Sequence, residues 1–464
     1  MILEQFYLGC LSHASYLLGD EKTKTAVIVD PQRDVDLYLD AAKDKGLEIR
    51  DVFLTHFHAD FLAGHLELRE KTGAVIHLGA HAEAEFAFVP AKDGDVYEWG
   101  DLKIEILETP GHTPEGISLL VYDLAKSADK PEAILTGDTL FVGDVGRPDL
   151  LASIGFTAEQ LGDMLYDSLH DKILKLPDDV IVYPAHGKGS MCGKNLGEDP
   201  FSTIGKERVE NYALQDMSKK DFLDMVTEDQ PEAPHYFVHD AIQNRKEHDL
   251  LGATILKALQ PLSLDQILAL RAEGKQLLDA REPIDYAREH LVGSINVGLE
   301  GPYASQCGSV LDLEIPIVII ADPAEEEEAV VRLGRIGLAN HIVGFLEGGA
   351  LAWQGHQDDV RSIPLIKSEQ LVALLEGANP PAVLDVRIPM ERNRGAIPGS
   401  IWIPLVELPA RLCELDRDKP LVVSCETGFR SATGLGILEN AGFDKLLYHV
   451  DGYYGWATRI EGKD

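Results

Sequence analysis

A chain of 464 residues exceeds what one ordinary hydrophobic core organises, and usual domain sizes divide it into roughly two to four parts. With 45% hydrophobic and 26% charged residues it reads as a globular chain able to bury sizeable cores, not as a disordered or fibrous one. Its net charge of -36 repels phosphate backbones and anionic lipid, so nucleic acid and membrane surfaces are excluded as expected partners.

The opening residues, MILEQFYLGCLSHASYLLGD, show no basic segment followed by an apolar stretch and a small-residue cleavage site, and nowhere do about eighteen apolar residues run without charge. The five cysteines, Cys10, Cys192, Cys307, Cys413 and Cys425, are odd in number and follow no framework spacing. A cytoplasmic protein with thiols rather than disulfides is expected.

Up to about residue 200, short β-branched runs alternate with turns and helical stretches: AVIVD at 26–30, DVFLTH at 51–56, AVIHLG at 74–79, KIEILETP at 103–110, AILTGD at 133–138 and VIVYPAHG at 180–187. Four of these strands stop at a turn and deliver His or Asp just past their ends, which gathers polar groups at one rim of a sheet assembly. From about 200 to 257 the chain is polar and rich in helix formers, and it reads as a cap closing a first domain over 1–257.

The remainder repeats itself. QLLDAREPIDYAREHLVGSINV at 276–297 matches AVLDVRIPMERNRGAIPGSIWI at 382–403, with Asp279 and Asp385, Arg281 and Arg387, Gly293 and Gly399, and Ser294 and Ser400 at one offset. EIPIVIIAD, ending at Asp322, matches DKPLVVSCE, and EGGALAW, ending at Trp353, matches VDGYYGW, ending at Trp456. Two further domains are expected, over 258–358 and 359–464, each alternating strand and helix as a parallel α/β sheet requires.

In the first domain Thr55-His56-Phe57-His58-Ala59-Asp60 stands at a strand end, and His112, Asp138 and His186 stand at three more. A lone histidine of this kind is usually a satisfied loop residue. Several imidazoles and carboxylates at converging loops are instead what a borderline or hard divalent cation needs. These motifs, in this order, resemble the metallo-β-lactamase superfamily, whose fold is an αββα sandwich that holds metal between two sheets. Two-metal members of that superfamily carry His-x-His-x-Asp-His, whereas Phe61 follows Asp60 here and offers no lone pair. Chemistry at one metal is therefore favoured over two-metal hydrolysis.

The persulfide dioxygenases of that superfamily are similar. The resemblance implies one Fe(II) per chain held by His56, His112 and Asp138, with His58, Asp60 and His186 orienting the site from behind. It implies oxidation of a glutathione-like, low-molecular-weight persulfide by dioxygen to sulfite and thiol. Arg147, in GDVGRPD, would meet a substrate carboxylate or else form a structural ion pair. Cys10 and Cys192 are read as packing residues or as sulfur relays near the metal; Cys307 and Cys413 show no chemical context.

LVVSCETGFRSATG at 421–434 puts Cys425 after a buried strand, with Gly428 allowing a tight loop before a helix. Backbone N–H groups, the helix N-terminus and Arg430 would then lower the thiol pKa and make Cys425 a nucleophile. The Cys-x-x-Gly-x-Arg spacing, with LDVR and IPGS upstream, resembles rhodanese sulfurtransferases, which implies a persulfide on Cys425 and transfer among persulfide, sulfite and thiosulfate. In the middle repeat Asp322 is read at the cysteine position, followed by glutamates, so that domain resembles an inactive rhodanese. The glutamates are equally those of a solvated helix start.

Two rival readings are a zinc-dependent hydrolase of the hydroxyacylglutathione type, which needs two metals, and a sulfur carrier or sensor with a structural metal domain. Members of the superfamily commonly associate, so a homodimer is compatible with the sequence.

Overall fold

A computed structural model of the chain describes residues 1–150, 155–228, 230 and 233–462. Its contacts divide the chain into two units, Met1–Leu251 with Gly334–Gly337, and Gly252–Leu333 with Leu338–Asp464. The first division falls at the start of the helix Leu251–Ala258, a few residues before the boundary expected at 257.

The first unit is built on two six-stranded sheets. In the first, Ile2–Leu8, His13–Asp20, Thr25–Val29, Glu48–Phe53, Val75–Gly79 and Val89–Ala91 lie side by side in chain order, antiparallel at the start and parallel after the third strand. In the second, Ser202–Thr203, Ile181–Pro184, Ala133–Gly137, Ile117–Asp123, Leu102–Glu108 and Val96–Trp99 are neighbours in that order.

Strands covered on both faces read as continuous apolar runs, and Thr25–Val29 and Ile117–Asp123 are buried along their whole length. Leu102–Glu108 keeps the alternation of KIEILE, with Leu102, Ile104 and Ile106 turned inward. Between the sheets Val27, Val29 and Phe53 meet Ile104, Ile106, Leu119 and Val121. The outer faces are covered by helices. Leu17, Ile28 and Val52 pack with Tyr38, Ala42 and Leu68, and Ile134 and Val182 pack with Leu165 and Leu169. The result is the four-layer αββα sandwich expected from the sequence.

In the second unit two five-stranded parallel sheets have the same strand order. One runs Pro261–Leu262, Ile342–Leu346, Ile317–Ile320, Gln276–Asp279, Ser294–Asn296; the other runs Leu365–Ile366, Leu446–His449, Leu421–Ser424, Ala382–Asp385, Ile401–Trp402. The repeats share apolar packing, because Tyr286 and Ala287 of the first join Leu435 and Leu438 of the second in one cluster. Gln306 Nε2 donates to Thr433 Oγ1 at 2.5 Å, and that hydroxyl donates to the Asn296 carbonyl at 2.6 Å.

The shared arginines of the repeat motif have a structural explanation. Arg281 pairs with Asp279 at 2.6 Å and Arg387 with Asp385 at 2.8 Å, both guanidinium groups buried. Among the described residues no helix is long and apolar enough to cross a membrane.

Candidate metal centre and cysteine loop

Asp30 ends the strand Thr25–Val29 in the left-handed region, at φ 50°, and is fully enclosed. Such a conformation costs a non-glycine residue free energy unless neighbours impose it. Here its carboxylate accepts from the Thr55 amide at 2.7 Å and from Thr55 Oγ1 at 2.8 Å, so it fixes the start of the His-x-His-x-Asp turn. The Thr55 hydroxyl, having given its proton to Asp30, can only accept from His56 Nδ1 3.0 Å away, and His56 therefore presents Nε2 as a lone pair. His112 is set in the same way: its Nδ1 donates to the Arg147 carbonyl at 2.9 Å, leaving Nε2 free.

These two nitrogens converge on Asp138, His112 Nε2 at 3.4 Å and His56 Nε2 at 3.7 Å from Oδ2. One ligand atom from each of the three residues lies within 4.8 Å of the others, and all three side chains are buried. His56 Nε2 and Asp138 Oδ2 have no hydrogen-bond partner, a cost of about 1–3 kcal/mol each in a dry site unless a cation meets them. Two imidazole nitrogens and a carboxylate oxygen suit Fe(II) or Zn(II).

The other oxygen of Asp138 accepts from His186 Nδ1 at 2.8 Å, and His186 Nε2 donates to Asp60 Oδ2 at 2.8 Å. Burial alone would lower the pKa of His186, but the two carboxylates raise it well above the ordinary imidazole value, a shift that favours the imidazolium form. Asp138, which burial alone would raise, is held well below the carboxylate range by His186 and His56. Phe61 is wholly buried, its ring centroid 4.2 Å from that of His13 and 4.5 Å from that of His58.

His58 does not join the trio; its Nε2 lies 3.1 Å from Asp30 Oδ1. Asp60 and His186 form a second buried group of ligand-type atoms, and its third member is Cys192, whose thiol burial pushes up well above its ordinary value. Cys10 is half-buried. The guanidinium of Arg147 is buried and engaged, its Nε and Nη2 each 2.7 Å from the Asp149 carboxylate, so a substrate carboxylate would have to displace Asp149. Gly146 is needed for close approach: a Cβ there would lie 1.9 Å from the Asp138 carbonyl oxygen.

Four site residues escaped sequence reasoning. His13 donates from Nε2 to the Asp30 carbonyl at 2.8 Å, and burial beside His186 and His58 lowers its pKa to about 3. Asp30 ends an apolar run much as Asp138 does, and that placement was a usable signal. Glu115 accepts from the Phe57 amide at 3.0 Å. Asn244 donates to the carbonyls of His58 and Phe61 and accepts from the Ala63 amide, bracketing the turn. Nothing local in the sequence marks Asn244.

In the last repeat Cys425 follows Leu421–Ser424, and Gly428, at φ 103°, leads into the helix Phe429–Asn440. A Cβ on Gly428 would lie 2.5 Å from the Val450 carbonyl, so no other residue fits that turn. The Gly428 N–H donates to Cys425 Sγ at 3.1 Å. Arg430, expected to stabilise the thiolate, donates to Glu391 at 2.6 Å, and Arg387 reaches Glu426 at 3.1 Å. Both arginines near the loop are thus already countered by carboxylates.

Strand register corrects one expectation. Asp279 pairs with Ile320 as Asp385 pairs with Ser424, so the residue opposite Cys425 is Ala321 rather than Asp322. The paired strings EIPIVIIAD and DKPLVVSCE, set residue by residue, give the same assignment, so Asp322 stands one residue too far along. The middle repeat still has no thiol at that position.

A family model of the metallo-beta-lactamase superfamily matches residues 8–186, and the rhodanese-like domain model matches twice, at 263–356 and 367–459. The mitochondrial persulfide dioxygenase ETHE1 of Homo sapiens is 30% identical over 219 residues, 46% of this chain and 76% of that protein. A hydroxyacylglutathione hydrolase of Dictyostelium discoideum is also 30% identical, over 207 residues, 44% of this chain and 72% of that protein. A metallo-beta-lactamase of Staphylococcus aureus has a similar structure, with a TM-score of 0.64 at 33% identity over 74% of this chain and 98% of its own.

Proposed function

The chain belongs to the metallo-beta-lactamase superfamily, with two rhodanese-like domains in the same polypeptide, and on that premise we propose that it oxidises a low-molecular-weight persulfide to sulfite and thiol at a single Fe(II). The organisation we propose is a metal domain over 1–257, an inactive rhodanese over 258–358 and an active one over 359–464. All five cysteines are free thiols, which supports a reducing, cytoplasmic setting.

The observation that carries the one-metal reading is His186 clasped between Asp138 and Asp60, with the phenyl ring of Phe61 packed on His58 and His13. A protonated imidazole there supplies the positive charge that a second cation would otherwise supply, and Phe61 adds no ligand. His56, His112 and Asp138 would hold the ion, whose role when bound is to bring the persulfide and dioxygen together for electron transfer. Thr55 and the Arg147 carbonyl fix the two imidazole tautomers, and His186 fixes the carboxylate. In the balanced reaction persulfide, dioxygen and water give thiol and sulfite, with the terminal sulfur as the atom oxidised.

At Cys425 the proposed step is sulfur transfer. The thiolate attacks the terminal sulfur of a persulfide, the carrier leaves as a thiolate with the electron pair of the broken S–S bond, and Cys425 keeps the persulfide. Sulfite then takes the outer sulfur to give thiosulfate and regenerates the cysteine thiolate. The Gly428 N–H, which donates to Sγ, supports the attacking and regenerated thiolate.

Equal identity to a hydroxyacylglutathione hydrolase keeps zinc-dependent thioester hydrolysis as a second reading. Stripping the metal and reloading with Fe(II) or Zn(II) separates them. Sulfite production restored by Fe(II) supports the oxygenase; thioester hydrolysis restored by Zn(II), with two ions per chain, overturns it.

A further inference from the structure

Behind Cys425 lies a buried polar network that the proposed chemistry does not use. His449 places Nδ1 2.9 Å from Ser424 Oγ, and its Nε2 lies 3.0 Å from Asp451 Oδ1 and 3.1 Å from Ser368 Oγ. Asp451 also accepts from the Ser368 amide at 3.1 Å. Ser368, Ser424 and His449 are at most 1% exposed.

The middle repeat is an internal control. Its register places Leu264, Ile320, Leu346 and Gly348 at the positions of Ser368, Ser424, His449 and Asp451. Leu264, Ile320 and Leu346 there pack in one apolar cluster. The same fold therefore accepts hydrocarbon at these sites, and a buried polar network is seldom more stabilising than well-packed hydrocarbon. It is present in the repeat that has a cysteine and absent from the repeat that has Ala321.

Its position explains how it acts. Ser424 is the last residue of the strand before Cys425, and Asp451 is the residue before the helix Gly452–Arg459. The first amides of that helix hold the reactive loop: Tyr453 N–H donates to the Cys425 carbonyl at 2.7 Å and Tyr454 N–H to the Glu426 carbonyl at 2.9 Å. His449 thus ties the strand that delivers Cys425 to the helix that clamps its carbonyl.

We propose that Ser424, His449, Asp451 and Ser368 are positioning residues that hold the Cys425 loop so that the Gly428 N–H meets the sulfur. The inference rests on Cys425 being the sulfur-accepting group. The test is a full-length variant carrying the middle repeat's set, Ser368→Leu, Ser424→Ile, His449→Leu and Asp451→Gly, beside a single His449→Gln variant that keeps a donor and an acceptor.

Each protein is assayed for alkylation of Cys425 by iodoacetamide, for single-turnover sulfur loading from glutathione persulfide by mass spectrometry, and for thermal stability. The apolar set is expected to melt within a few degrees of wild type yet to react at least about tenfold more slowly in both assays, with His449→Gln recovering most of the rate. Unchanged reactivity in the apolar variant overturns the proposal, and so does a loss that merely tracks unfolding in both variants. If wild-type Cys425 alkylates but takes no sulfur, the sulfur-transfer reading fails while the alkylation comparison still decides the positioning role.

Discussion

His186 donates from Nδ1 to Oδ1 of Asp138 at 2.8 Å and so turns the other carboxylate oxygen toward His56 and His112. One carboxylate is thereby divided between His186 and the two imidazoles of the candidate metal site. Replacing His186 with Asn removes the charge between Asp138 and Asp60. Metal affinity should fall about 10–100-fold, as for other outer partners of metal ligands, measured by competition with a chelator.

The same substitution should change how stability depends on pH in metal-free protein. Because the folded-state pKa of His186 is raised, its stabilising contribution is full below the ordinary imidazole value and is lost as pH rises through the folded value. Urea melts should show wild type more stable than His186→Asn by about 3 kcal/mol at mildly acidic pH, with the gap closing as pH rises. A gap that widens with pH contradicts the clasped imidazolium.

Phe61→His restores a ligand type at the position now filled by hydrocarbon. Bound metal in protein purified from zinc-rich medium should rise from about one to about two ions per chain, read by elemental analysis, and persulfide oxidation should fall. Unchanged stoichiometry would show that His186, rather than Phe61, decides how many ions bind.

Cys425→Ala should leave sulfite production intact and abolish thiosulfate formation. Loss of both activities in a folded variant would mean that the two sites are not chemically separate.

Arg430 donates to Glu391 at 2.6 Å, so an anionic donor must compete with that carboxylate. Glu391→Gln should lower KM for thiosulfate by about 3–10-fold with little change in kcat, measured as thiocyanate formed from cyanide. A raised KM would mean that Glu391 only anchors the arginine.

All three members of the candidate metal group were legible because each follows its own strand: DVFLTH, EILETPGH and AILTGD are local patterns, and the fold brings their ends together. Phe61 was legible as an omission. Asn244 and Glu115 were not, since each acts on the turn after His56 from far along the chain, although Glu115 stands only three residues past His112. His13 opens its strand rather than following one, so the strand-end pattern passed over it. The misplacement of Asp322 was avoidable: set residue by residue, EIPIVIIAD and DKPLVVSCE already put Ala321 at the position of Cys425, as backbone pairing to Asp279 and Asp385 does. Arg430 was found by spacing, but its partner Glu391 lies in another segment, so its engagement was invisible.

The most direct test is oxygen uptake by the full chain loaded with Fe(II) and given glutathione persulfide. One dioxygen consumed per sulfite formed, lost in His56→Ala, His112→Ala and Asp138→Ala but retained in Cys425→Ala, is the result expected. Persulfide-dependent turnover without oxygen consumption, or uptake indifferent to those three substitutions, would contradict it.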